Sequence, residues 1–294
     1  MVGKSGFVER YLKYIFPLPA LIFVFLLMVF PVIYTLFISF TDWSITSARP
    51  LRFVGFESYR SVLFSERFQM AALRTLLFTF GAVSVQMVLG TIIALILHRE
   101  FIGKGPLNFL LLLPLVVTPV VIGIIFNLFF DPAIGIFNFV LSVLGLPQSG
   151  WIMDARTVLP SLIMVDVWQW TPMIALIVLA GLSGLPKEPF ESAKVDGANS
   201  VQTFFYVTLP MIMPVVITAA VLRLVDAFKT YDIIAAMTRG GGPGYASETL
   251  IIHAFNMSFE YYAMGRASAI LVILFFIIML FSGSFMWLRK KFEL

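Results

Sequence analysis

The sequence predicts an all-α integral membrane protein with six transmembrane helices in a single domain over residues 1–294. Three observations carry this. Apolar residues make up 60% of the chain and charged residues only 12%, against roughly 45–50% and about 25% in soluble domains. The mean hydropathy is +0.98. The apolar residues fall in six stretches long enough to cross a bilayer core, which takes about 20 residues each. Intrinsic disorder needs low hydrophobicity and many charges and is excluded. Lipid offers the backbone no hydrogen-bond partner, and no alternating barrel pattern is present, so the spans are helices.

The spans fall at 15–38, 76–97, 107–130, 159–182, 211–234 and 267–288. The first is too long for the apolar core of a signal peptide and no small-residue cleavage site follows it, so it reads as an uncleaved span. Leu112-Leu113-Pro114 lies early in the third, and Asn127 with Phe129 to Pro132 closes it. The fourth carries Asp166 and the fifth carries Arg223, Asp226, Lys229 and Asp232. Trp43, Trp151 and Trp287 fall near span ends, where interfacial Trp residues gather.

Lys and Arg near the span ends give orientation. The short connections that share a side with the N-terminus hold Arg99, Lys104, Lys187 and Lys194, and Arg289-Lys290-Lys291 follows the last span directly. Both termini are therefore expected in the cytoplasm. The opposite side carries the longer connections, including Gly240-Gly241-Gly242-Pro243-Gly244, a strong turn signal. The net charge of +4 is scattered, unlike the clustered basic stripe of a nucleic-acid binder. It suits a modest attraction to anionic lipid. With no Cys and two His, thiolate nucleophiles are ruled out and metal centres are not expected.

The connection at 185–210 is the informative one. Pro186 and Pro189 suit a helix start, and Glu188 and Glu191 suit its positive end. Gly197 suits a stop. Asn199 or Ser200 then caps a second short helix containing Phe204 and Phe205, which Leu209-Pro210 is expected to end at the membrane surface. The residues alone admit two readings: a docking element for a partner protein, or an interfacial helix that only anchors the loop.

Glu191-Ser192-Ala193-Lys194-Val195-Asp196-Gly197-Ala198, with Leu209-Pro210 at its spacing, resembles the signature cytoplasmic loop of ABC importer permeases. Ser192 stands where that family's loop usually has Ala. Gly-Gly-Gly-Pro-Gly followed by Ser247-Glu248-Thr249-Leu250, Leu112-Leu113-Pro114, and Trp168 to Pro172 resemble carbohydrate-uptake permeases of the maltose and glycerol-phosphate type. The resemblance implies the type I importer fold. It also implies a second, usually different permease subunit, two ATPase subunits and an external substrate-binding protein. Glu191, Ser192, Ala193, Asp196, Gly197 and Ala198 would form the coupling helix that docks on the ATPase. This chain has no phosphate-binding Gly-x-x-x-x-Gly-Lys-Ser/Thr loop. It would bind no cofactor and catalyse no reaction itself, with ATP and magnesium held on the partner ATPase.

Ionisable residues within spans are costly and functional by default. Asp166, Gln169, Trp170 and Met173 share one helix face by three- and four-residue spacing. They combine hydrogen-bonding groups for hydroxyls with an aromatic plane for the apolar side of a sugar ring. Arg223, Asp226, Ala227 and Tyr231 are the span 5 counterparts that the family resemblance implies. Competing readings stay open: mutual neutralisation of Arg223–Asp226, Asp226–Lys229 and Lys229–Asp232, packing of Trp170 against a partner subunit, and Asn127 as a helix-end cap. A sugar phosphate or acidic sugar is the alternative cargo. An ion-coupled secondary transporter, which would need internal repeats and broken helices, and an intramembrane enzyme are the rivals from other classes.

Overall fold

A computed structural model describes residues 14–47 and 50–292. Among the described residues the main helices are, in order, α1 (Leu18–Ile38), α2 (Glu57–Leu63), α3 (Glu66–His98), α4 (Lys104–Val116), α5 (Pro119–Phe129), α6 (Ile136–Val143), α7 (Val158–Ser183), α8 (Glu188–Val195), α9 (Ser200–Phe228), α10 (Asp232–Thr238), α11 (Leu250–Phe259) and α12 (Met264–Lys290). α1, α3, α7, α9 and α12 are each long and apolar enough to cross a membrane.

The third span is not the straight helix expected at 107–130. α4 and α5 meet at a bend of 100°. Pro119 drives Thr118 into extended backbone (φ −66°, ψ 144°), because its ring disfavours the helical conformation of the preceding residue. The bent pair still makes one crossing. Gln86 of α3 bonds Asp166 of α7, Gly90 faces Ile174, and Ala94 packs in a cluster with Val178 and Leu182. Sequence numbers rise together along both helices, so α3 and α7 are parallel. Two parallel spans need one traversal between them, and only α4–α5 supplies it.

Two further boundaries differ from expectation. α3 begins at Glu66, about ten residues before 76, with Ser65 capping Phe68 N–H at 3.3 Å. Arg67, Gln69 and Arg74 lower the hydropathy there but do not break a helix. α9 runs from Ser200 straight through Leu209-Pro210 and ends at Phe228, rather than spanning 211–234. Its passage past Pro210 depends on a π-helical turn over Phe204–Thr208. That turn surrounds the carbonyl of Tyr206, the one a proline at 210 would strike in a regular helix. α1 uses the same device: the π-turn Phe25–Val29 precedes Pro31 by the same offset.

Three packed clusters hold the bundle. One joins Phe78, Ile122, Phe126, Val165 and Ile233. A second joins Phe68, Leu224, Phe228, Ile270 and Leu274. The third joins Ala94, Ile174, Val178 and Ile212 near the α8 end. α3 and α7 approach closely because position 90 is glycine: a Cβ there would lie 2.7 Å from Ile174 Cγ2, and small residues are what let membrane helices touch. Gly90→Val is expected to cost about 1–3 kcal/mol through overpacking. A lowered thermal midpoint in detergent, largely restored by adding Ile174→Ala, is the expected result. An unchanged midpoint would disprove the contact.

Candidate functional site

The α8 region follows from local chemistry. Helix α8 closes with Gly197 N–H donating to Lys194 O (3.2 Å) and Ala198 N–H to Ala193 O (2.9 Å). This pair of bonds needs a left-handed residue between them, and Gly197 provides it at φ +75°. Asn199 and Gln202 then form a reciprocal capping box, each bond 2.9 Å, that starts α9. Glu191, Ser192, Asp196 and Gly197 are exposed, Ala198 is half-buried, and Ala193 is buried against the chain's own body. Val195 is 87% exposed at the tip of α8. A groove of about 1090 Å³ runs behind it, lined by Phe190, Glu191, Lys194, Phe204, Phe205 and the end of α3 at His98 and Arg99. Small, acidic and apolar groups thus stand free on a projecting helix that a rigid turn holds.

The span residues separate into two sets. Asp166 and Arg223 are completely buried, Gln169 is 2% exposed, and Ala227 is buried beside them. Arg223 turns away from Asp226 and into the bundle. Its Nη2 donates to Asp166 Oδ2 and its Nε donates to Gln86 Oε1 at 2.9 Å. Gln86 Nε2 donates in turn to Asp166 O (2.9 Å) and Oδ2 (2.8 Å). The network ties α3, α7 and α9 together around an ion pair, the form in which charge survives inside a span. Asp166 Oδ1, Gln169 Oε1 and Arg223 Nη1 have no hydrogen-bond partner among the described residues.

The second set reaches the surface. Trp170 and Met173 are half-buried, and Trp170 sits at the middle of the 26-residue α7. The Arg223 guanidinium lies 5.3 Å from its ring centroid, within cation–π range. Asp226 is exposed and pairs with Lys229 at 3.5 Å. Tyr231 packs on Phe255, ring centroids 4.9 Å apart. Asn127 caps a helix end, though not that of its own helix: its amide donates at 3.0 Å to Ala236 O, a carbonyl in the last turn of α10, and so joins α5 to α10. Gln86, the third member of the buried network, carries no signal in the sequence, since a lone Gln in an apolar helix has no partner visible by spacing.

A second polar centre lies at the opposite end of the bundle. Glu248, fully buried, accepts two bonds from Arg67 (2.8 and 2.7 Å) and one from Asn256 (3.0 Å). His253 Nδ1 lies 3.3 Å away and must carry the proton, because a carboxylate only accepts. Tyr245 lies under the Arg67 guanidinium at 3.9 Å. These contacts fasten the glycine-rich turn to α3 and α11. Burial pushes the Glu248 carboxyl up, but hydrogen bonds from His253 and Arg67 outweigh it and hold it at about 2, below its ordinary 4.5. A depressed carboxylate gives stability that is present above pH 4.5 and lost as pH falls toward 2. The protection factors of the α11 amides, taken relative to the intrinsic exchange rate at each pH, are therefore expected to fall as pH drops from 4.5 toward 2 in the native chain. Glu248→Gln should exchange faster at neutral pH and lose most of that pH dependence. An identical pH response in both proteins would refute the assignment.

The sequence model of one family, described as a binding-protein-dependent transport system inner membrane component, matches residues 86–293. The trehalose/maltose transport system permease protein MalF of Thermococcus litoralis is 34% identical over 286 residues, covering 96% of this chain and 95% of that protein. The sulfoquinovosyl glycerol transport system permease protein SmoG of Agrobacterium fabrum is 32% identical, covering 91% of this chain and 86% of that protein. The fold matches a chain of a bacterial ABC transporter involved in import of the acidic polysaccharide alginate, with TM-score 0.83, 19% identity and 97% of each chain covered.

Proposed function

Because this chain belongs to the family of binding-protein-dependent transport inner membrane components, we propose that it is one of two permease subunits forming the path of an ATP-driven importer for a sugar or related polyol. As a member of that family it is an all-helical transport component of the inner membrane and not an enzyme. The carbohydrate reading draws on relatives that carry trehalose, maltose or sulfoquinovosyl glycerol in their names. In this chain it rests on one observation: an aromatic plane, Trp170, partly exposed at the middle of a span and steadied from behind by a buried guanidinium.

In this reading Trp170 and Met173 meet the apolar side of a sugar ring. Asp226 and Tyr231 supply hydroxyl partners nearer the mouth. Asp166, Gln169 and Arg223 act from inside the chain, holding the Trp170 face, since their side chains are sealed from a solute in this conformation. The exposed side of α8, with Glu191, Ser192, Asp196 and Gly197, docks on an ATPase subunit that holds ATP and magnesium. Both termini and α8 face the cytoplasm. An external binding protein delivers the sugar to the opposite face. Its binding helps drive transport only as far as it favours the outward-open state over the inward-open one.

Proteoliposome uptake of a labelled disaccharide by the complete importer tests this. Uptake is expected to need internal ATP, the ATPase and the binding protein. Trp170→Ala should raise the half-saturating sugar concentration far more than Trp170→Phe, because the ring face is what packs. Uptake without ATPase would favour an ion-coupled carrier instead. Equal effects of both substitutions would remove Trp170 from the path. An acidic sugar competing better than a neutral one would redirect the cargo assignment toward the Lys229 side.

A further inference from the structure

Helix α6 presents an apolar surface that the bundle does not use. Phe137 and Asn138 turn inward. Phe137 packs on Phe126, Phe130 and Trp151 with ring centroids 5.1–6.3 Å apart. Asn138 is 3% exposed. It accepts from Trp151 Nε1 (2.8 Å) and Ser149 N–H (3.1 Å) and donates to Ser149 O (3.1 Å) and Pro132 O (3.2 Å). The outer side carries Ile136, Phe139, Val140, Val143 and Leu144, with Phe139 66% and Val143 69% exposed. The only polar side chain in that row, Ser142, spends its hydroxyl on Phe139 O at 2.7 Å. No Asp, Glu, Lys or Arg occurs between Asp131 and Asp154.

We propose that α6 is an interfacial anchor: its Ile136-to-Leu144 face lies among the upper acyl chains of the leaflet at the α5–α7 end and pins that mouth of the bundle to the lipid. Four observations select lipid as the occupant. An eight-residue helix is about 12 Å long and cannot cross a core of about 30 Å. Through Phe137 the helix touches Phe126 and Phe130, so it starts within about one turn, ~6 Å, of the end of α5, the depth of an interfacial helix. Leu128 and Phe129, exposed at that end of α5, continue the same apolar surface through the Phe129–Phe137 contact of 6.2 Å. A protein partner would bring a hydrogen bond for roughly every 100–200 Å² of interface, and this face offers no free polar group to receive one. The inference uses only the membrane setting and is independent of the sugar reading.

Phe139→Cys and Val143→Cys, each spin-labelled in the assembled importer in lipid vesicles, test it against Asp154→Cys as the aqueous control; this chain has no native cysteine. Oxygen should relax the labels at 139 and 143 while a water-soluble nickel chelate does not, and the label at 154 should behave the opposite way. Chelate access at 139 and 143 would place the face in water and overturn the proposal. Exclusion of both relaxants would mean that a protein subunit covers it, which also overturns it. If labelling disturbs assembly, Phe139→Trp in vesicles of lipid brominated high on the acyl chain gives the same decision. Added quenching relative to the native chain supports the anchor, and none refutes it.

Discussion

Replacing Arg223 with Met is expected to destabilise the bundle by about 3–5 kcal/mol, because it strands the Asp166 carboxylate in a fully buried site. Gln86 would remain as the only side chain bonding it. Asp166→Leu should cost a similar amount by leaving the guanidinium unpaired. The double variant Asp166→Leu/Arg223→Met should recover most of the loss, since two apolar groups of similar volume remove both charges together. Thermal unfolding in detergent measures all three. If the single variants are as stable as the native chain, the network is not the buried interlock described above. Transport provides a second readout. A stable double variant that assembles with its partners should keep Vmax near native but bind sugar more weakly, because Trp170 has lost the guanidinium 5.3 Å behind its ring. Native affinity in that variant would reduce the network to a structural tie.

The second large effect is at α8. Glu191→Ala with Gly197→Asp should abolish ATP-driven uptake while leaving the spans folded. Glu191 is exposed on α8, outside the three packed clusters that hold the bundle. Gly197 is held at φ +75°, where a side chain is strained, so Asp there loosens the turn that presents the helix. Loss of one docking hot spot is worth about 2 kcal/mol, roughly thirtyfold in affinity. The expected result is an ATPase that no longer co-purifies, or that hydrolyses ATP without moving sugar. Normal uptake by the double variant would mean that α8 is only a surface anchor.

Both experiments bear on what the sequence specified. The crossings of a bilayer are legible because each needs its own run of apolar residues. The α8 turn is legible for the same kind of reason: glycine at position 197 and an Asn199–Gln202 capping box act within a few residues of themselves. Even the failed expectation at Pro210 is local in origin. The proline does disturb the helix, but the chain answers with a π-turn instead of a stop. The bend at Thr118-Pro119 is local in cause too, since proline acts on the residue before it, while its 100° angle is seen only in the folded chain.

The polar residues within the spans show where sequence stops. Helical spacing correctly puts Asp166, Gln169, Trp170 and Met173 on one side of α7. It does not say whether that side looks into the bundle or out of it. That depends on Gln86, 80 residues away on a helix whose parallel register only the packed bundle establishes. With Gln86 in place, Arg223 turns inward to Asp166 rather than along its own helix to Asp226, and the expected binding row divides into a sealed ion pair and a half-buried aromatic plane. The same holds for Arg67 and Glu248, separated by 181 residues and joined at 2.7 Å. The sequence by itself determined the membrane class, the place of the apolar spans and the turn that ends α8, because hydrophobic length, proline and glycine act locally. Tertiary structure alone decided which charges are buried and with whom, because a charge in a low-dielectric interior is placed by its partner, and here the partners come from distant segments.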